Sequence, residues 1–337
     1  EDESSTPIDF DSLPEADLDV PAIYENDQFS QELQVLYEGE KLSGVGGAYY
    51  RDANAFTAFD VILDTTAPIL TFLGILPPTA TGLTAQTLGD VNTKTWSVFG
   101  DFTYQLTPTI EVSLGGRYTE DERNSRVLKT QYSDSPSPLF GNAGANVFVV
   151  TSDFDGSAEF DDFSPRASIA WQPVDEHNFY FTYSQGFKGG SFDPRGDTTA
   201  TPDFNGDGTV SEQEIFQFMK FEPEEVDSFE IGWKGRFGAW NHALAIFHTD
   251  YTDVQVPGSV GVDADNDGVA ESFTGVTTNA GAATISGVEY EGNGVIASDF
   301  ARAGDELTLQ WSLGYLDGEY NEFIDGFGND VSDQVGL

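Results

Sequence analysis

Apolar and polar residues alternate strictly along most of this chain. Leu307, Leu309, Trp311, Leu313 and Tyr315 are separated by Thr308, Gln310, Ser312 and Gly314. Ile110, Val112, Leu114, Gly116 and Tyr118 are separated by Glu111, Ser113, Gly115 and Arg117. Trp96, Val98, Gly100, Phe102 and Tyr104 follow the same rule against Ser97, Asp101 and Thr103, with Phe99 out of phase. Phe229, Ile231 and Trp233 alternate with Ser228, Glu230, Gly232 and Lys234. A period of two over such lengths predicts strands with one apolar and one polar face. Helical spacing appears only around Ile215 to Phe221. The fold class expected is all-β.

Ten strands are predicted, at about 27–38, 41–51, 92–106, 109–121, 158–173, 177–188, 225–238, 241–256, 277–297 and 304–320. Many exceed ten residues, whereas strands of soluble sandwiches usually have about five or six. Short connections fall at Gly39-Glu40, Thr107-Pro108, Val174-Asp175-Glu176, Gly238-Ala239-Trp240 and around Phe300 to Gly304. Long ones fall at about 52–91, 122–157, 189–224 and 257–276, and the two kinds alternate throughout. All tight turns then lie at one end of the sheet and all long loops at the other. This is the layout of an antiparallel up-and-down transmembrane β-barrel with long extracellular loops, of which about ten strands are represented. Residues 1–337 then form part of one barrel domain. Residues 1–25, with nine acids, no base and three prolines, read as an acidic loop or tail.

The polar face is assigned Asp101, Glu111, Arg117, Glu230, Lys234, His248 and Asp250, too much charge for a dry core but suited to a wet lumen. The apolar face is assigned Trp96, Tyr104, Tyr118, Trp171, Tyr183, Phe187, Trp233, Tyr251 and Tyr315. Trp and Tyr near strand ends fit the half-solvated boundary of a bilayer.

Composition narrows the function. The 58 acidic against 14 basic residues give a formal charge of −44, which disfavours any partner bound through phosphates and excludes nucleic acid. The absence of cysteine excludes a disulfide scaffold, zinc-thiolate sites and thiol catalysis. No run of 18 apolar residues marks a spanning helix.

Several stretches carry a family resemblance. They are Phe29-Ser30-Gln31-Glu32-Leu33-Gln34-Val35, Gly115-Gly116-Arg117-Tyr118-Thr119-Glu120-Asp121-Glu122-Arg123 and Phe163-Ser164-Pro165-Arg166-Ala167-Ser168. Further on come Tyr183-Ser184-Gln185-Gly186-Phe187-Lys188-Gly189-Gly190-Ser191-Phe192 and Phe221-Glu222-Pro223-Glu224-Glu225-Val226-Asp227-Ser228-Phe229-Glu230-Ile231-Gly232. Tyr251-Thr252-Asp253-Val254-Gln255-Val256, Asn279-Ala280-Gly281 and Ser286-Gly287-Val288-Glu289-Tyr290 complete the set. In this order and spacing, from Asp27 to Tyr320, the chain resembles the barrel of a TonB-dependent outer-membrane receptor. The resemblance implies active uptake of a scarce nutrient across the outer membrane of a Gram-negative cell, most often siderophore-iron, otherwise cobalamin or carbohydrate. It implies as partners outer-membrane lipid, a small nutrient ligand and the TonB energy-transducing complex, reached through a plug domain. No plug or TonB box is recognised here, so the chain reads as a fragment of such a receptor. The alternative is a soluble or secreted calcium-binding β protein such as an adhesin. A glycan-degrading enzyme would need a carboxylate pair in a cleft.

One loop carries candidate chemistry. Asp203-Phe204-Asn205-Gly206-Asp207-Gly208-Thr209-Val210-Ser211-Glu212-Gln213-Glu214 matches the twelve-position EF-hand calcium loop. Asp203, Asn205 and Asp207 supply side-chain oxygens, Thr209 a carbonyl, Ser211 a direct or water-mediated contact, and Glu214 a bidentate carboxylate. Gly208 fits the sharp turn. A second candidate comprises Asp263, Asp265, Asp267 and Glu271, with Thr274 where the bidentate acid would stand. The loops at 189–224 and 257–276 carry eight acids against Arg195 and Lys220, and four acids against no base. A divalent cation would relieve that repulsion, so bound Ca2+ is the one cofactor expected. His177 and His242 read as solvated residues at short turns and His248 as a lumen residue, none at metal-ligand spacing. No nucleophile elbow, catalytic triad or phosphate-cradling loop occurs, so no enzyme is expected.

Overall fold

The computed structural model describes residues 2–9, 17–262, 272–279, 281–299, 301–324 and 330–336. Its strands are β1 (Asp2–Asp9), β2 (Asp17–Glu38), β3 (Leu42–Leu63), β4 (Thr84–Thr107), β5 (Ile110–Tyr132), β6 (Val147–Val174) and β7 (His177–Lys188). They continue with the two-residue strands β8 (Ser191–Phe192) and β9 (Lys220–Phe221), then β10 (Glu224–Phe237) and β11 (Trp240–Thr252). The last are β12 (Gln255–Val262), β13 (Ser272–Asn279), β14 (Gly281–Ser298) and β15 (Glu306–Phe323). Helix α1 (Ala67–Phe72) lies between β3 and β4, and α2 (Glu212–Met219) between β8 and β9.

Eleven strands form one sheet in the order β1-β2-β3-β4-β5-β6-β7-β10-β11-β14-β15, each antiparallel to its neighbours. The pairs β8–β9 and β12–β13 stand apart as small ribbons. Five short turns lie at one end of the main sheet, and the long connections 64–83, 133–146, 189–223 and 253–280 lie at the other. Among the described residues β1 and β15 do not pair with each other, so the sheet is an open arc.

Three expectations are corrected. Residues 1–25 are not simply a loop or tail: β1 pairs with the start of β2, Ile8 opposite Val20 and Ser4 opposite Tyr24. β-branched and aromatic residues keep this segment extended, and its acids lie on a ribbon wetted on both sides. Second, β2 to β6 run 22 to 28 residues, well past the strand ends read from the alternation. Beyond Trp96 and Tyr50 both faces turn polar, as at Asp52, Asn54, Asn92 and Lys94, so periodicity disappears while the ladder continues. Third, the stretches at 241–256 and 277–297 each divide. Asp253 adopts φ 55° and Gly281 φ 150°, which throws β12 and β13 out of the sheet as a hairpin. At Gly281 a Cβ would stand 1.9 Å from the carbonyl oxygen of Glu322, so only glycine fits there.

The buried core lies at the long-loop end. Val127 of β5 and Phe154, Ala158 and Phe160 of β6 pack against Phe192, Phe218, Met219 and Val276. A smaller cluster of Ala67, Leu76 and Leu83 seats α1 within a stretch, residues 65–89, that carries no charge.

Candidate functional site: the polar face and the loops above it

The ladder fixes which side chains share a face, because a period of two allows no mixing without a bulge. Glu111 lies opposite Ala170, which lies opposite Tyr180, Gly232, Ala245 and Glu289 in turn. That row places Glu111, Arg117, Glu230 and Lys234 on one face. Leu309, Trp311, Leu313, Ile231 and Trp233 fall on the other.

The polar face is wet and aromatic at once. The guanidinium of Arg117 lies over the rings of Tyr49 and Phe99, at 5.3 and 5.6 Å. Phe99 therefore breaks the alternation because it is a partner for a cation rather than for lipid. The Tyr180 hydroxyl donates to Glu230 at 2.6 Å, and the Lys234 ammonium sits 5.7 Å from the Tyr180 ring. Arg166 pairs with Asp101 at 3.0 Å.

The apolar face is bounded by two aromatic bands. Trp96 packs on Tyr118 at 5.6 Å on the long-loop side. On the short-turn side lie Trp171 on Phe179 and Trp240 on Trp311, at 5.6 and 5.7 Å. From Trp96 to Tyr104 along β4 is about 26 Å of strand, the height of the apolar band of a membrane barrel. Between the bands the side chains are large, apolar and open, Leu114 and Leu313 being 62% and 63% exposed. A secreted β protein would not present so extensive an apolar face to water.

Side-chain placement corrects several expectations. His177 and His242 are not free in water: His177 stacks on Trp233 at 5.9 Å and His242 on Tyr290 at 6.0 Å. They fit because Gly235 and Gly292 leave room, a Cβ there meeting Trp233 and Trp311 at 2.2 and 2.1 Å. His248 and Asp250 share the face of Phe229 and Asp227, not the lumen-side face, and Tyr251 lies with Val226 on the opposite one. The run Ala243-Leu244-Ala245-Ile246-Phe247 is apolar throughout, so it gives no phase from which to count.

Above the upper band, the segment 189–223 folds back over the polar face and docks on β5, β6 and β13. Asp193, 3% exposed, is its anchor. It accepts from the Arg195 backbone at 2.8 Å, the Arg195 guanidinium at 3.0 and 2.6 Å, and the Thr277 hydroxyl at 2.8 Å. Burial alone would raise the Asp193 pKa, but these bonds outweigh it and hold the carboxyl below its ordinary range. Lys129 bonds the Asp197 carboxylate and the Arg195 carbonyl, both at 2.8 Å. The Gln255 amide donates to the carbonyls of Lys188, Gly189 and Glu222 at 3.2, 3.1 and 3.0 Å. Asn279 donates to the carbonyls of Glu222 and Asp253, both at 2.8 Å. The loop thus has an apolar core and buried polar anchors, which offset the entropy of ordering it. Scattered Phe, Met, Gln and Asn in a loop give no periodic signal, so the sequence did not reveal this canopy.

The turn 203–214 gathers the six predicted oxygen donors. Asp203 accepts from the backbone of Gly206 and Gly208, both at 2.7 Å, and Asn205 from Asp207 at 2.8 Å. Asp207 accepts from the Thr209 backbone and hydroxyl at 2.9 and 2.7 Å. Glu214 accepts from Asn205 at 3.1 Å and from Ser211 at 2.8 and 2.7 Å, closing a capping box at the start of α2. Bonds from Ser211 hold the Glu214 carboxyl below its ordinary range, and those from Thr209 do the same for Asp207. Gly206 and Gly208 adopt φ 71° and 87°, the left-handed bends such a turn requires. Among the described residues no three His, Cys, Asp or Glu side chains form a metal cluster. Asp263, Asp265, Asp267 and Glu271 lie outside the described residues.

Residues 5–335 match the family described as TonB dependent receptor-like, beta-barrel. Among solved structures, the ferric yersiniabactin uptake receptor FyuA from Yersinia pestis aligns over 94% of this chain and 38% of its own, at 16% identity and TM-score 0.63. The siderophore receptor PiuA from Acinetobacter baumannii aligns over 93% of this chain and 41% of its own, at 18% identity and TM-score 0.56. The copper transporter OprC aligns over 96% and 41%, at 11% identity and TM-score 0.56. At these identities the likeness is one of fold. The chain spans about two fifths of the length of these proteins.

Proposed function

The chain belongs to the TonB-dependent receptor-like β-barrel family, and we propose that its sheet is part of the wall of a receptor for active uptake of a scarce nutrient, siderophore-bound iron foremost. Proteins of this family are outer-membrane β-barrels of Gram-negative bacteria and are transporters rather than enzymes. The observation that carries the reading is the contrast between the two faces of one continuous sheet. An open apolar face between aromatic bands suits lipid, and a polar, aromatic-lined face beneath a canopy of loops suits a solute path. The siderophore receptors FyuA and PiuA, which share this strand arrangement, support iron chelates as cargo over cobalamin or carbohydrate. The partners of this reading are outer-membrane lipid, a small nutrient ligand and the TonB complex, engaged through a plug domain of the full-length receptor.

The test is iron uptake by cells that make the full-length receptor as their sole siderophore receptor. Radiolabelled iron should enter from at least one siderophore class, and entry should stop when TonB is deleted. Uptake of cobalamin or oligosaccharide with no iron chelate transported would overturn the iron reading. A protein that is monomeric and stable without detergent or lipid would overturn the membrane reading itself.

We also propose that the turn 203–214 takes calcium through Asp203, Asn205, Asp207, Thr209, Ser211 and Glu214. Every donor is a hard oxygen, the order is that of a calcium loop, and the glycine bends aim the side chains at one turn. Calcium should slow proteolysis within 189–223, and the double substitution D203A/E214A should abolish that effect. Equal cleavage of the unsubstituted protein in calcium and in chelator removes the proposal.

A further inference from the structure

The polar face holds a guanidinium with nothing to neutralise it. Arg51 of β3 lies opposite Thr95 of β4, which lies opposite Asp121 of β5, so all three point to the lumen side. The Arg51 Nε is buried and has no hydrogen-bond partner, and among the described residues no ion pair to Arg51 is formed. The neighbouring Asp121 is already engaged. It binds Arg123 Nη2 at 3.1 Å and accepts from the Thr95 hydroxyl. Arg123 in turn is held by Thr93 and by the Gly190 carbonyl at 3.3 Å. The charges acting on Arg123 are an attraction from Asp121 and a repulsion from Arg51. Two cations therefore face one anion, in a chain of net charge −44 that could have supplied another carboxylate at almost any position.

A buried, unpaired charge is costly, and it persists where an external partner completes it. Arg51 lines a cavity of about 470 Å³ together with Asn26, Gln28, Ala53, Val91 and Thr93. That volume falls in the range of small-molecule sites, and the lining mixes apolar floor with convergent polar groups. Asp27 also borders the cavity, but in register with Asn54 it points to the opposite face. The cavity sits level with the upper aromatic band, since Tyr50 and Trp96 adjoin Arg51 and Thr95 in the chain. The canopy begins directly above it, at the Arg123–Gly190 bond.

We propose that Arg51, with Arg123 beside it, binds an oxyanion of the transported molecule, so that the cargo is anionic and presents a carboxylate-like pair of oxygens. A guanidinium offers two parallel N–H groups to such a pair, which an ammonium does not. The inference rests on the uptake reading and narrows its substrate class.

The test uses the full-length receptor in detergent, titrated with citrate and, separately, with inorganic phosphate. Tighter binding of citrate identifies a carboxylate as the source of the oxyanion, and tighter binding of phosphate identifies a phosphate group. In either case R51Q should weaken the favoured anion by at least about tenfold, with R51K intermediate, because a charge-assisted pair is lost. Since Arg51 has no partner in the fold, R51Q should leave the melting temperature unchanged or raise it. A lowered melting temperature with unchanged anion affinity would mean that a carboxylate of the receptor itself neutralises Arg51, and would overturn the inference. So would failure of the unsubstituted receptor to bind either anion. If the unsubstituted receptor transports iron and R51Q transports it equally well, this inference fails while the uptake reading stands.

Discussion

β5 passes through two regions that solve the same problem in opposite ways. Between the aromatic bands its Leu114 is 62% exposed, whereas farther up Val127 is wholly buried. The lower region presents its apolar side chains outward and leaves their burial to lipid. The upper region turns them toward the lumen side and covers them with its own loops, Phe192, Phe218 and Met219 descending from 189–223. Backbone pairing is continuous across both, so the difference lies in what covers the sheet and on which face. The lower region depends on the bilayer to be stable, and the upper one carries its own core.

The sharpest way to break this contrast is to empty the upper core. Phe192→Ala should cost about 3–5 kcal/mol locally, the usual cost of removing a buried ring. It should expose 189–223 to cleavage by a glutamate-specific protease while leaving assembly in the membrane intact. Loss of membrane assembly in this variant would show that the two regions are not separable. A charge in the lower region should have the reverse effect. Ile231→Arg should impair insertion by about 2–4 kcal/mol, as for basic residues near a bilayer midplane, read as folding yield into lipid vesicles. Its canopy, once folded, should resist the protease normally.

The smallest expected effect concerns acid. The folded-state pKa of Asp193 is depressed, so its contribution is present above its ordinary value of 3.8 and is lost as pH falls through the lower folded value. Pepsin cleavage within 189–223 should therefore rise steeply as pH drops below about 4. Asp193→Asn should show faster cleavage at the upper end of that range and a flatter dependence below it. A profile for D193N identical to that of the unsubstituted protein would remove Asp193 as the anchor.

The same division decides what could be read from the sequence. In the lower region each strand meets two different environments, so composition alternates and strand, turn and facing could be read at Glu111, Arg117, Ile231 and Trp311. β7 was placed to the residue at 177–188. In the upper region the strands of β2 to β4 meet water on one side and loops on the other, both tolerant of polar residues, and the pattern vanished. The canopy contacts join residues far apart in the chain, such as Val127, Phe192 and Val276, and no local pattern encodes them. The donors of the turn 203–214 were legible because their spacing is itself local. Arg51 was not, since a missing partner shows only once its neighbours are in place.

The amide of Gln255 has a mechanical meaning. It ties the first residues of the 189–223 segment to its last and both to the base of the β12–β13 hairpin. Two segments that look independent along the chain are thereby geared together, and neither can lift without three bonds breaking at one atom. Amide hydrogens of 189–223 and of β13 should then exchange at a common rate, as one cooperative unit. The opening above the polar face would behave as a single two-leaf shutter, and one side chain would set how often it stands ajar.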